Sequence, residues 1–123
     1  AIDQLARLLN ISKHSVGEHE LALPVDSEVH VSERDGRYYV IDLARLMPPE
    51  APGPRWLSEL LRPELVRSMA RHGGALNSDT AARFRYVRPY TADDVALVAA
   101  ARRRLLHVVV PRLVRRLQRR TAR

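Results

Sequence analysis

Asp42 is the first residue of this chain whose type and position suggest chemistry. It lies in the apolar run of residues 39–43, within the segment DGRYYVIDLARLMPPE that spans residues 35–50. A carboxylate among apolar residues must find hydrogen bonds, a cation or a metal ion. One interpretation is structural, with Asp42 buried and paired with Arg45 or with backbone amides near Pro48. The alternative is a kinase-like phosphotransferase fold, active or degenerate, in which Asp42 is a metal-site carboxylate.

The surroundings of Asp42 favour the structural interpretation. His30 and Glu28 fall on the strand predicted to pair with it, but a magnesium site normally recruits a second oxygen ligand that this segment does not obviously supply. The sequence contains no glycine-rich phosphate loop and no catalytic-loop pattern. Order along a chain does not reveal a catalytic triad. We therefore assign no catalytic residue, no metal ligand set and no cofactor, and an enzyme is the less favoured interpretation.

A second group of candidate residues is the arginine cluster near the C-terminal end. Residues 102–123 contain nine arginines and no acidic residue, so they carry +9, and the net charge of +7 leaves −2 for residues 1–101. On a helical wheel of about 100° per residue, six of them share one side, which we call the arginine face: Arg112, Arg115, Arg116, Arg119, Arg120 and Arg123. Such a face can bind RNA phosphates or an acidic protein partner. A solvated helix and an anionic membrane surface are the alternatives, and the lack of interleaved aromatic residues argues against base stacking.

The histidines give a weaker signal. The spacing of His14, His19 and His30 fits no standard zinc arrangement, so we predict that they are surface residues. His72 is predicted to lie at a helix C-terminus, and His107 in a core or an interface. The absence of cysteine excludes disulfides and thiolate metal sites.

Periodicity and turn residues predict an α+β fold. Residues 2–9 have helical spacing, and residues 21–24 suit a brief strand that ends at a proline. Helical spacing resumes over residues 55–61, and Pro63 suits the first turn of a further helix that ends at residues 72–74.

The β part of this fold is predicted to be an antiparallel hairpin over residues 28–43. Asp35 and Gly36 are expected to be the central pair of a type I′ turn, because this pair tolerates positive φ at both positions. That register places Val29 opposite Asp42.

The helical half is predicted to end in a long, proline-kinked basic helix. Asn77 suits the cap of a short turn, Thr91 suits the cap of the long helix, and Pro111 kinks or splits that helix. We expect one mixed core in which the following residues pack against an apolar face of the hairpin: Trp56, Leu60, Leu61, Leu65, Val66, Val98, Leu105 and Val109.

Length limits the chain to about one domain. We expect residues 1–123 to form a single domain or part of a larger one, with residues 102–123 as its arginine-rich helical end. No apolar run reaches the roughly 20 residues of a membrane span, and no signal-like start is present. These features predict a soluble protein without a membrane span.

The chain resembles the Clu domain of clustered-mitochondria proteins in five blocks that follow one another in the same order. The first is D-x-E-x-H at Asp26, Glu28 and His30. The others are DGRYYVIDLARLMPPEAP at residues 35–52, LLRPELV at 60–66, NSD at 77–79 and VVPRLVRRL at 109–117. The resemblance extends from Leu5 over nearly the whole chain.

This resemblance implies a non-catalytic interaction module of a cytoplasmic family that is linked to mitochondrial distribution and to the binding of messenger RNAs for mitochondrial proteins. It also implies that residues 1–123 are a Clu-like domain or its C-terminal part, with the rest of a longer chain outside this sequence. The chain departs from the family pattern at Val29, where glycine is usual, and at Met47, where phenylalanine is common. Nothing in the sequence reads as a tetratricopeptide repeat.

Overall fold

The structure is a computed structural model that describes residues 2–51, 55, 57–84 and 88–121. Its elements in chain order are helix α1 (Ile2–Leu9), strands β1 (His14–Val16), β2 (His19–Leu21), β3 (Glu28–Val31) and β4 (Tyr38–Ile41), and helices α2 (Pro63–Ser68), α3 (Ala92–Arg104) and α4 (Val110–Thr121). A 3₁₀ turn, Met69–Arg71, extends α2, and a π turn, Leu105–Val109, joins α3 to α4. The strands form two separate antiparallel pairs, β1 with β2 and β3 with β4. The predicted α+β class is confirmed.

The core lies where α1, α2 and α3 meet the segment around Leu76. Val66 and Leu76 are fully buried there, together with apolar side chains from each of these helices. Asn10 follows α1 with φ of 61°, a left-handed conformation that asparagine tolerates better than most residues. Its side-chain amide donates hydrogen bonds to the carbonyl oxygens of Val66 and Gly74, each at 2.9 Å. The end of α1 is thereby fixed to the end of α2.

Of the first hairpin, β1–β2, the sequence predicted only a brief strand at residues 21–24, whereas β2 ends at Leu21. His14 lies opposite Leu21, and Val16 lies opposite His19. Gly17 occupies the turn with φ of 61°, which glycine adopts without steric cost. Each strand has only three residues, so period-two alternation could not identify it.

The second hairpin, β3–β4, has a different register from the predicted one. Val29 lies opposite Val40 rather than opposite Asp42. The Ser32 amide donates to the Arg37 carbonyl oxygen at 2.9 Å and closes a loop of four residues, 33–36, where two were predicted. The amide of Gly36 donates to the carbonyl oxygen of Ser32 at 2.8 Å, and Gly36 has positive φ, whereas Asp35 does not. The type I′ turn prediction is therefore wrong. The shift of two residues leaves every side chain on its predicted face, since strand side chains alternate with a period of two.

Both faces of the second hairpin are exposed. Val31, Tyr38 and Ile41 are 45% exposed or more, so the expected packing of the helical half against this hairpin is wrong. The residues of the predicted core differ in burial. Leu61, Leu65, Val66 and Val98 are buried, Leu60 and Leu105 are half-buried, and Val109 is exposed. Trp56 lies outside the described residues.

In the segment before α2, where a helix was predicted, the Glu59 amide closes a single turn on the Arg55 carbonyl oxygen at 3.0 Å, and residues 59–61 are extended. The amide of Glu50 donates to the carbonyl oxygen of Glu59 at 2.7 Å, and the amide of Leu61 donates to the carbonyl oxygen of Pro48 at 2.8 Å. This pairing brackets an antiparallel bridge between Pro49 and Leu60. Tertiary pairing has overridden helical periodicity here. Pro63 does begin α2, as predicted.

The C-terminal helical segment is continuous over residues 92–121. It begins with the predicted cap: the Thr91 hydroxyl accepts a hydrogen bond from the Asp94 amide, and the Asp94 carboxylate accepts one from the Thr91 amide. Pro111 cannot donate a helical hydrogen bond and crowds the carbonyl group four residues earlier. In the π turn directly before it, the Val110 amide bonds to the Leu105 carbonyl oxygen five residues back. The wider turn accommodates the proline, and the helix continues through it.

Candidate functional site

Four polar residues from four separate segments form one hydrogen-bonded group: His14, Asp26, Arg45 and Asp79. We call it the buried network because three of its members are buried, while Asp26 is exposed. His14 comes from β1, Asp26 from the loop before β3, Arg45 from the loop after β4, and Asp79 from the turn after Leu76. His14, Arg45 and Asp79 are buried. Charged groups are rarely buried without partners, so the contacts among these residues decide whether the fold tolerates them.

Asp79 lies at the centre of the buried network and is fully buried. Its Oδ2 atom accepts a hydrogen bond from the Val25 amide at 2.8 Å and lies 2.8 Å from His14 Nε2. Its Oδ1 atom accepts from Arg45 Nη2 at 3.1 Å. Each carboxylate oxygen therefore has a donor, which offsets the cost of burying the charge.

A short turn holds Asp79 in place. Asn77 Oδ1 accepts a hydrogen bond from the Asp79 amide at 2.8 Å, and the Thr80 hydroxyl donates to the Asn77 carbonyl oxygen at 2.8 Å. The Ser78 hydroxyl donates to the Leu46 carbonyl oxygen at 2.6 Å, beside Arg45. Asn77 was predicted to cap a short helical turn; it caps a non-helical turn, as asparagine side chains commonly do.

Arg45 joins the two carboxylates. Its Nε and Nη2 atoms donate to Asp26 Oδ2 and Oδ1 at 2.9 and 2.5 Å, a two-pronged pair. The hydrogen bond from Arg45 lowers the pKa of Asp26. Burial works to lower the pKa of Arg45, but the hydrogen bond with Asp26 and the charge of Asp79 outweigh it, and the pKa is raised. The guanidinium also lies over the Phe84 ring, 5.3 Å from its centroid.

His14 is buried, so its predicted surface position is wrong, whereas His19 is exposed as predicted. An ionised carboxylate can only accept, which places the His14 proton on Nε2 toward Asp79. His14 Nδ1 is also buried and has no hydrogen-bond partner among the described residues. A cleft of about 290 Å³ borders His14, with Lys13, Glu20 and Arg88 also in its lining. The His14 ring is therefore held through Nε2, while Nδ1 forms no hydrogen bond with the described residues.

Asp42 lies outside the buried network. It is exposed and follows β4 with φ of 54°, and no described residue forms a hydrogen bond or an ion pair with it. The prediction that Asp42 is buried and paired with Arg45 or with backbone amides near Pro48 is wrong, because Asp42 is exposed and Arg45 pairs instead with Asp26 and Asp79. Over the described ranges, no three histidine, aspartate or glutamate side chains come together in a group that could hold a metal ion.

The other histidines lie at the surface. His30 is exposed and pairs with Glu28 at 2.9 Å. His72 is exposed at the end of the 3₁₀ turn, in agreement with its predicted place at a helix end. His107 is exposed on the π turn rather than part of the core.

The arginine face lies on α4, a helix without a buried residue. Five of its six members are described, and all five are exposed: Arg112, Arg115, Arg116, Arg119 and Arg120. Within the described part of the chain, none of them forms an ion pair, whereas Arg102 on α3 lies 3.7 Å from a carboxylate oxygen of Glu50. Arg123 lies outside the described residues.

Sequence reasoning did not find the buried network, although it had singled out several of its residues. Asp26 stands in the first block of the resemblance, Arg45 in the second, and Asp79 in the block at residues 77–79. The sequence indicated only that charged residues recur in these motifs, and the motifs lie up to 53 positions apart, from Asp26 to Asp79. Their convergence is a property of the fold.

The comparison with protein families identifies one similarity. Residues 1–52 match the model of the family described as CLU, Clustered mitochondria. No curated protein and no solved structure matches the chain. The match supports a partial Clu domain and contains His14, Asp26 and Arg45, while Asp79 lies beyond it. The three later blocks, from residue 60 onward, are outside the matched range and stay a prediction.

Across the residues that the structure describes, no helix combines the length and the apolar composition needed to cross a bilayer.

Proposed function

We propose that this chain is a non-catalytic interaction module of Clu type that binds RNA phosphates through the arginine face of α4. The resemblance suggests that such RNAs include messengers for mitochondrial proteins, and that the protein acts in the cytoplasm in the distribution of mitochondria. The observation that carries the proposal is the exposed set of five arginines on one side of a helix whose residues are all outside the core.

The charge distribution supports contact with phosphates. Residues 102–121 contain eight arginines and no acidic residue, so their positive potential is not neutralised within the helix. Guanidinium groups bind phosphates with two parallel hydrogen bonds, and successive helical turns present them at intervals of about 5.4 Å. A helix of this kind can follow a stretch of nucleic acid backbone without reading its bases.

Fluorescence anisotropy with a fluorescein-labelled RNA hairpin and a labelled single strand of equal length tests the proposal. If five phosphates are contacted, log affinity should fall with log salt with a slope of roughly −3.5 to −4.5, so affinity should drop about two orders of magnitude between about 50 and 200 mM salt. Replacing Arg112, Arg116 and Arg119 by glutamine should lower the magnitude of that slope by roughly 2 to 3.

A second triple variant separates the arginine face from net charge. Arg34, Arg37 and Arg71 are exposed and lie outside α4, so replacing them by glutamine removes the same charge from another surface. We expect this variant to retain most of the affinity. An equal loss in both triple variants would show that net charge attracts RNA without a defined face, and the proposal would be wrong.

A further inference from the structure

The side of α4 opposite the arginine face carries an exposed row of aliphatic residues. We call it the aliphatic stripe, and its members are Leu106, Val110, Leu113, Val114 and Leu117. Each is between 42% and 53% exposed. Their spacing of three, four and seven residues forms one continuous seam along the π turn and α4, which is the spacing that packs one helix against another.

The two faces of α4 point in different directions. Taking Val110 as zero on a wheel of about 100° per residue, the stripe residues of α4 fall within an arc of about 100°, and the arginines centre roughly 140° from the middle of that arc. A polyanion held on the arginine face would leave the stripe in water. The aliphatic stripe is therefore available to a binding partner of its own, whether or not RNA binds the arginine face.

We infer that the aliphatic stripe is the docking surface for an amphipathic α-helix of a partner protein whose apolar seam is bordered by aspartate or glutamate. Arg120 and Arg116 lie next to Leu113 and Leu117 on one edge of the stripe, about 20° and 60° outside it on the wheel. A carboxylate row beside the partner's seam would meet these guanidinium groups. Among the described residues, the five arginines of α4 form no ion pair, which makes an acidic partner the complementary one.

The same geometry disfavours two other occupants. A second copy of this helix would bring two sets of five positive charges within a few Debye lengths, since the Debye length is about 8 Å at physiological salt. On an anionic bilayer, the stripe would face the acyl chains while Arg112 and Arg119 point away from the headgroups. The stripe also contains no aromatic residue, which interfacial helices commonly use.

Binding of a designed probe tests the inference. The probe is a synthetic three-heptad helical peptide with leucine at positions a and d and glutamate at e and g, labelled with fluorescein. We expect it to bind the chain in an anisotropy titration, and the same peptide with lysine at e and g to bind at least about tenfold more weakly. Replacing Leu113 and Leu117 by alanine should weaken binding of the glutamate peptide by about tenfold or more, while alanine preserves helix propensity.

Matched controls make the result specific. Leu8 and Leu57 are similarly exposed leucines elsewhere on the surface, at 61% and 58%, and replacing both by alanine should leave peptide affinity unchanged. Far-ultraviolet circular dichroism checks that each variant is folded. The inference would be overturned if neither peptide binds, if both peptides bind equally, or if the stripe variant instead abolishes self-association in light scattering or binding to vesicles with about 30% phosphatidylserine.

Discussion

Replacing Asp79 by asparagine tests whether the buried network holds the fold together. The substitution preserves the shape of the side chain but leaves one carbonyl oxygen where two carboxylate oxygens were. That oxygen can accept from the Val25 amide and His14, or from Arg45, but not from both sides. The amide nitrogen on the other side would face a donor. At least one buried donor must lose its acceptor.

The expected cost follows from the depth of the site. Breaking a buried charge pair by removing one partner costs about 3 to 5 kcal/mol. Arg45 would keep its two-pronged pair with Asp26, so its charge stays compensated and we expect a value near the lower limit, about 3 kcal/mol. Since domains of this size have unfolding free energies of about 5 to 15 kcal/mol, the loss is a large fraction of the total.

Urea unfolding followed by far-ultraviolet circular dichroism measures this cost. The slope of the free energy of unfolding against urea concentration should be the same for the variant and the wild type. Asp42→Asn is the matched control, because it makes the same chemical change on an exposed residue whose left-handed backbone asparagine also tolerates. We expect Asp42→Asn to change the free energy of unfolding by less than about 0.5 kcal/mol. A loss below about 1 kcal/mol for Asp79→Asn would refute the reasoning that its buried hydrogen bonds stabilise the fold.

Two further predictions concern groups with defined partners. The pKa of Asp26 is lowered in the folded protein by its hydrogen bond with Arg45, so its contribution is present above the ordinary aspartate value of about 4 and is lost as pH falls through the lowered value. In urea titrations, Asp26→Asn should be less stable than the wild type at pH 7, and the difference should shrink toward about pH 3; a constant difference would contradict the linkage. Replacing Thr91 by alanine removes one half of the capping box and should lower the free energy of unfolding by about 1 kcal/mol in the same assay. The control is Thr121→Ala, at the exposed far end of α4, which should have a smaller effect. Equal effects would show that the cap does not stabilise the helix.

Features with local causes could be predicted from the sequence. The cap at Thr91 and the start of α2 at Pro63 depend on residues within one helical turn, and both are confirmed. The end of the α2 region before Gly73 and Gly74 is also local, since glycine ends helices readily. Short-range chemistry is sufficient for such boundaries.

The hairpin shows where local chemistry becomes ambiguous. Asp35 and Gly36 suit both a two-residue type I′ turn and a longer loop that ends with glycine in a left-handed conformation. Alternation could not separate the two, because their registers differ by two residues and keep the same side chains on each face. The carboxylate of Asp35 accepts from the Arg37 amide and from the Tyr39 hydroxyl in the loop that forms.

The candidate site could not be predicted because its parts are distant in the chain. Asp42 and Arg45 are three residues apart, which favoured them as a pair in the sequence. A left-handed residue at Asp42 and the turn that follows, closed by the Leu46 amide on the Leu43 carbonyl oxygen at 3.0 Å, direct the two side chains differently. Asp79 reaches Arg45 only because Leu76 pairs with the chain after α1, where the Ser12 amide donates to the Leu76 carbonyl oxygen at 2.9 Å. The periodicity of the sequence gives no information about the contact between Asp79 and Arg45.

The arginines of this chain fall into groups with different contacts, which the structure distinguishes and the composition does not. Arg45 uses the fork of its guanidinium, since Nε and Nη2 engage Asp26 while Nη2 also reaches Asp79. A lysine ammonium is a point charge and cannot reproduce two parallel bonds. The arginines of α4 have no such internal partners among the described residues, and their positions on a helix without a buried residue contribute little to the core. Arginine abundance is therefore uninformative by itself. The informative property is whether each guanidinium group is already committed to a carboxylate of the same fold.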